Sequence, residues 1–315
     1  RQMCIRDRNS TSLFSQIDYK NQSFDMGIES INNFRDFLMI KNDANYKMEM
    51  EPLIKWGIDN FKKYGFKVER LKTPELPLLL ASRIISDKAK TILIYLQFDG
   101  QPVDNSKWDQ EDPYKAVLKE KINDKYEIID WASLKGITMK DIIEKDLRIF
   151  ARSSSDAKGP VMMILNALEI MKRNDINLKY NVKVIMDFEE EISSPNLAAA
   201  VKKYSSKLKS DALFIFDGPK HPSNLPTLTF GARGISDITL ITYGPIVPQH
   251  SGHFGNYAPN PVFRMSEILS SMKDKDGRVS IEGFYDGITL DDKTQAILAG
   301  VPDDEKKMME DMQFN

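Results

Sequence analysis

Apolar residues along this chain recur in two spacings. Short continuous runs, at 92–96 (Ile92, Leu93, Ile94, Tyr95, Leu96), 182–186 and 211–216, read as strands buried on both faces. Other stretches repeat every three or four residues, the period of a half-buried helix. Ile31, Phe34, Phe37 and Leu38 predict a helix over 30–40. Met50, Leu53, Ile54, Trp56, Ile58 and Phe61 predict one over 46–64, with Gly65 as its stop. Val161, Ile164, Leu165, Leu168 and Met171 predict a third over 160–173, with Pro160 in its first turn. A further helix is expected over 197–208, and strands over 66–71, 78–86 and 147–151. The polar stretch 102–132 carries Trp108 and Trp131 and reads as a long loop with a short strand near 116–120.

Strand–helix alternation up to residue 230 predicts an α/β domain, its sheet mostly parallel and flanked by helices. The texture then changes. Residues 226–243 read as extended, 244–261 as a Gly/Pro/His-rich loop, 261–272 as a helix, 279–284 as a strand and 294 onward as a charged helix. This is the pattern of an antiparallel α+β module, and the boundary is expected near Gly231. Residues 1–8, RQMCIRDR, lack periodicity and are read as non-native sequence. The expected organisation is 9–230 and 231–315, with both ends cut short.

Composition narrows the classes. A net charge of −2 provides no global field for nucleic acid or an acidic membrane. No apolar run approaches the ~20 residues of a membrane helix. The single cysteine, Cys4, excludes an internal disulfide, which suits a reducing compartment or a secreted bacterial protein without disulfides. No signal peptide is visible. The cytoplasm is slightly favoured, with a periplasmic or secreted location open if a leader was lost.

The chemistry concentrates at strand ends. Asp99 follows the first run, Glu189, Glu190 and Glu191 the second, and Asp217 the third, while Asp156 precedes the helix at 160. Singly, each has a plain reading: a turn at Asp99 and at Asp217-Gly218-Pro219, a helix cap at Asp156, a solvated run at 189–191. Parallel strands bring such ends together, and carboxylates so placed repel unless cations neutralise them. Oxygen-rich donors suit Zn, Mn or Co, and two ions bridged by one carboxylate is a recurrent hydrolytic layout. Of the adjacent Glu190 and Glu191, one can bind metal while the other acts as general base. This requires Asp156, Glu191 and Asp217 to approach within metal-bridging distance. His250, in QHSGHFGN, is either part of a glycine-shaped surface loop or an imidazole that polarises a carbonyl.

In order, TILIYLQFDGQPVD, RIFARSSSDAKGP, VIMDFEEEISSPNL, LFIFD, FGARGI, HSGHFGNYAPNP and GRVSIEGFYD resemble the motifs of the dinuclear metallo-aminoacylase and carboxypeptidase superfamily, its carnosine-dipeptidase-like branch above all. The match runs from about residue 30 to 311. The resemblance implies a phosphorylase/hydrolase-like catalytic domain with an inserted lid and dimerisation domain. It implies hydrolysis of a dipeptide or N-acyl amino acid by a metal-activated water, with two divalent ions, Zn or Mn and less commonly Co, in a homodimer. Carried over by position, Asp156 bridges the metals, Glu191 and Asp217 each bind one, and Glu190 is the base. Asp99 steadies the ligand at position 97, and His250 stabilises the oxyanion in the neighbouring subunit's site. The family has a histidine at position 97, where this chain has Gln97. That substitution implies a weaker or harder ion there, such as Mn²⁺ or Mg²⁺. The family's last ligand histidine and its carboxylate-binding arginine fall in a C-terminal part beyond residue 315, so the chain alone is expected to be inactive. The alternative is a non-catalytic or metal-impaired relative acting in binding or dimerisation.

Overall fold

The structure is a computed structural model and describes residues 18–123, 125–217, 227–229, 234–301 and 305–313. The expectations for residues 1–8, Gly231 and most of the FGARGI motif lie outside them. The chain divides into two units, Arg1–Pro219 and Lys220–Asn315, each described by itself.

In the first unit the helices are α1 (Tyr19–Glu29), α2 (Ile31–Met39), α3 (Glu51–Lys62), α4 (Met139–Glu144), α5 (Lys158–Arg173), α6 (Leu197–Lys203) and α7 (Ser205–Leu208). The strands are β1 (Lys67–Leu71), β2 (Leu78–Arg83), β3 (Thr91–Gln97), β4 (Val117–Ile122), β5 (Lys125–Ile129), β6 (Arg148–Phe150), β7 (Asn181–Asp187) and β8 (Ala212–Phe216). Five of them form one sheet, ordered β1-β2-β7-β3-β8. The pairs β7–β3 and β3–β8 are parallel, and only β2 runs against its neighbours.

Alternate residues of these strands enter two separate cores. Leu79, Ala81, Leu96, Val184 and Met186 pack with Phe37, Leu53, Ile54, Val161 and Leu165 of α2, α3 and α5. Leu78, Leu80, Leu93 and Ile185 pack on the opposite face with Ala200 of α6 and Leu208 of α7. Burial on both faces is why β3 and β7 read as continuous apolar runs, whereas β8, expected to be buried in the same way, is exposed at every residue but Phe216. Each large side chain buried in these cores contributes about 1.5–3 kcal/mol. Helix α3 approaches the sheet closely at Gly57, where a Cβ would lie 3.3 Å from Phe98 and 3.4 Å from Leu79. Gly65, at φ +77°, follows α3 as its stop.

The stretch 102–132 is not a long loop. It contains β4 and β5, which pair antiparallel and, with β6, make a second sheet ordered β5-β4-β6. Charged residues disguise these strands. Lys119 is buried with its ammonium 4.7 Å from the Phe150 ring centre, an arrangement in which the aliphatic stem packs like an apolar residue.

The second unit contains α8 (Ser251–Phe254), α9 (Pro261–Met272), α10 (Asp292–Ala299) and α11 (Glu305–Met312). Asn260 caps α9 by accepting from the Val262 N–H at 2.9 Å, and Pro261 occupies the first turn. The strand expected over 279–284 is absent. Those residues form turns, and the antiparallel pairing among the described residues of this unit is the single bridge Lys273–Val279. Among the described residues no helix is long and apolar enough to cross a membrane.

Candidate active site

The parallel register brings the expected residues to one edge of the sheet. Gln97, the last residue of β3, pairs with Asp187, the last of β7. Leu96 pairs with Phe216, so Asp217 follows one step later on the other side of β3. Helix α5, which precedes β7, and helices α6 and α7, which follow it, pack on opposite faces of the sheet. Such a switch opens a crevice at the carboxyl ends of parallel strands.

Glu190 and Glu191 begin a 3-10 turn, Glu190–Ile192, directly after β7. Asp99 is fully buried, and its carboxylate accepts the Glu190 N–H at 3.0 Å and the Glu191 N–H at 2.9 Å. Asp187 accepts the Glu189 N–H at 3.1 Å, the Ser194 hydroxyl at 2.7 Å and the Tyr95 hydroxyl at 3.2 Å. Two buried carboxylates therefore hold the turn through three consecutive N–H groups. The expectation for Asp99 is that it steadies the ligand at position 97. Its carboxylate secures the backbone of the Glu190–Glu191 pair, and the contact between positions 97 and 99 runs from Gln97 Nε2 to the Asp99 backbone oxygen at 3.5 Å. Glu191 also accepts from the Gln101 amide.

The acids feel one another. Burial, then Asp217 and Glu191, push the Asp156 carboxyl up, while Arg152 pulls it down. Burial first, then Asp217, Glu191, Asp156 and Asp187, push Glu190 up to about 7. Burial pushes Asp99 up to about 7, with the two N–H bonds opposing. Asp156, Glu190, Glu191 and Asp217 thus share one electrostatic neighbourhood, as the strand ends imply.

They do not form a closed cage. Among the described residues no three His, Cys, Asp or Glu side chains are grouped to hold an ion. What fits a cation is the state of individual oxygens. Gln97 Oε1 and Asp156 Oδ1 are both buried without a hydrogen-bond partner, and Gln97 is only 1% exposed. An orphaned buried oxygen is unfavourable, and a cation satisfies it. The donors offered by Gln97, Asp156, Glu191 and Asp217 are all oxygens.

His250 lies in the second unit, where its Nδ1 accepts the Gly252 N–H at 3.0 Å. That bond places the proton of the neutral ring on Nε2. Its neighbour His253 lies 4.8 Å away between ring centres. His221 falls outside the described residues. Sequence reasoning counted Asp187 among the strand-end acids at 187–191 without giving it a role, and passed over Gln101 and Arg152. Asp187 ends its strand like the residues that were singled out, and its level with Gln97 was the available signal. Gln101 and Arg152 offered none.

Residues 130–299 match the family described as Peptidase family M20/M25/M40. The Cys-Gly metallodipeptidase DUG1 of Saccharomyces cerevisiae is 28% identical over 318 residues, covering 97% of this chain and 59% of its own. The Beta-Ala-His dipeptidase of Homo sapiens is 23% identical over 294 residues, covering 88% of this chain and 52% of its own. The solved structure of an M20 family metallo-carboxypeptidase, Sso-CP2 from Sulfolobus solfataricus, superposes with a TM-score of 0.66 at 25% identity, covering 91% of this chain and 60% of that one. Human carnosine dipeptidase 1 superposes with a TM-score of 0.61 at 20% identity, covering 93% and 61%, a likeness of fold. The chain spans 59% and 52% of the two curated relatives.

Proposed function

Because the chain belongs to Peptidase family M20/M25/M40, we propose that it serves a metal-dependent hydrolase acting on the amide bond of a dipeptide or N-acyl amino acid. The observation that carries the reading is the pair of buried oxygens without a partner, Gln97 Oε1 and Asp156 Oδ1, with Glu191 and Asp217 near enough to push the Asp156 carboxyl up. The relatives named for Cys-Gly and β-Ala-His hydrolysis support a small peptide as substrate.

Asp156 would be shared between two divalent ions, with Glu191 toward one and Asp217 and Gln97 toward the other. Such ions, Zn²⁺, Mn²⁺ or Co²⁺, supply Lewis acidity to the scissile carbonyl and to water. Glu190, beside these acids on the turn that Asp99 holds, would take a proton from the attacking water and return it to the leaving amine. Asp99 keeps its backbone in place. His250 Nε2–H would donate to the carbonyl oxygen as charge develops, reaching the neighbouring subunit in a homodimer.

The test is hydrolysis of Cys-Gly and β-Ala-His with added Mn²⁺ or Zn²⁺. Glu190→Gln should lower kcat by about 10²–10⁴-fold while divalent-ion affinity, measured by calorimetry, persists. Ion binding without hydrolysis in the unsubstituted protein would favour the non-catalytic relative. Gln97 gives a separate expectation. Its neutral amide oxygen favours a harder ion than imidazole does, so Gln97→His should raise zinc content as read by elemental analysis. An unchanged zinc content would overturn the argument for Gln97.

A further inference from the structure

One buried side chain outside the acid cluster holds two of its parts together. Asn42 lies between α2 and α3 and is fully buried. Its Nδ2 donates to the Phe98 carbonyl at 3.0 Å and to Ser153 Oγ at 2.9 Å. Its backbone oxygen accepts the Gly100 N–H at 2.8 Å. Phe98 and Gly100 flank Asp99, just beyond Gln97 at the end of β3, and Ser153 begins the turn that delivers Asp156. One amide thus joins segments 56 and 111 residues away in the chain.

The junction leaves no slack. A Cβ on Gly100 would fall 2.2 Å from Ser153 Oγ and 2.8 Å from Asn42 Nδ2, so the two site segments approach as closely as only glycine permits. The arrangement also leaves Asn42 Oδ1 buried without a partner, an unfavourable state that a side chain chosen for stability alone avoids. The oxygens that the junction keeps in register, Gln97 Oε1 and Asp156 Oδ1, are themselves unpartnered.

We propose that Asn42 is a positioning residue for a divalent ion held between Gln97 and Asp156. It acts by fixing the end of β3 against the Ser153–Asp156 turn. The inference rests on the reading of the acid cluster as a metal site, and it concerns a residue that touches neither ion nor substrate. Partners one step removed from metal ligands commonly govern affinity by 10–100-fold when lost.

The control is built into the same sheet. Asn181 is also buried, and it bonds Ser86 O at 2.8 Å, Ala89 O at 3.1 Å and the Ile85 N–H at 2.8 Å. It opens β7, at the end of the strand away from Gln97. Mn²⁺ alone is titrated by calorimetry into the unsubstituted protein, Asn42→Asp, Ser153→Ala and Asn181→Ala, well below every melting temperature. Asn42→Asp removes both Nδ2 donors and should weaken Mn²⁺ about tenfold or more. Ser153→Ala removes one contact and should fall between. Asn181→Ala should lower the melting temperature with the Mn²⁺ affinity unchanged. Equal affinity losses in the Asn42 and Asn181 variants, or none in Asn42→Asp, would overturn the positioning role while leaving the metal site standing. Absence of Mn²⁺ binding in the unsubstituted protein overturns both.

Discussion

Asp99, Glu190 and Lys158 are three ionisable groups in unlike settings that converge on one pH. Asp99 and Glu190 are pushed up to about 7, chiefly by burial. Lys158 is buried beneath α2, where its ammonium donates to the carbonyls of Phe37 at 3.0 Å, Leu38 at 3.3 Å and Ile40, and burial pushes it down to about 7. For the acids, the folded protein binds more protons than the unfolded chain between the ordinary carboxylate range and about 7. Stability therefore falls as pH rises through that window. For Lys158 the unfolded chain binds more protons between about 7 and the ordinary lysine range, so stability rises there. Without divalent ions the melting temperature should pass through a minimum near pH 7. Asp99→Asn should flatten the acid limb and Lys158→Met the alkaline limb. Added Mn²⁺ should lift the minimum, since a ligand that favours the folded state stabilises it. A melting profile that is flat or peaks near pH 7 without metal would contradict this account.

At the scale of elements, strands were legible where the run is continuously apolar and obscure where charge is interleaved. β3 and β7, with buried residues on both faces, and β8, exposed along most of its length, all declare themselves because nearly every position is apolar. β4 and β5, VLKEKI and KYEII, face solvent on one side and carry charge there, so pattern alone reads them as loop. Lys119 deepens the disguise by being buried. Asn42 was unreadable for another reason. It sits in the polar stretch KNDANY, and its importance comes from partners remote in sequence. Close helix–sheet packing was equally hidden in Gly57. A side chain there meets Phe98, Leu79 and Met186, so Gly57→Val should lower stability by about 1–3 kcal/mol through overpacking. Denaturant unfolding measures this, and an unchanged midpoint would mean that α3 can shift away from the sheet.

At the scale of the whole molecule, the two edges of the main sheet are treated differently. β1 carries Glu69 and Arg70, paired with Lys207 at 2.5 Å and with Glu51, and charged edges discourage pairing with another chain. β8 has no charged residue within it, and Leu213 and Ile215 are 55% and 62% exposed, with Phe214 at 43% on the other face. Such an edge is a template for association. Ile215→Lys should reduce concentration-dependent self-association in sedimentation while leaving the melting temperature nearly unchanged. Association that persists in the variant would have to arise elsewhere. The missing strand at 279–284 was not legible, because a short apolar stretch indicates burial and not what covers it.

The two backbone bonds to Asp99 also make the proposed base observable in isolation. A single 3-10 turn at a loop normally exchanges its amide hydrogens with solvent quickly. The Glu190 and Glu191 amides are instead held by a carboxylate with no exposure, so they should persist in deuterium oxide like core amides. Their protection should weaken selectively as pH falls below about 7 and Asp99 gains its proton. These two resonances would then report the charge beneath the site directly, without substrate or metal.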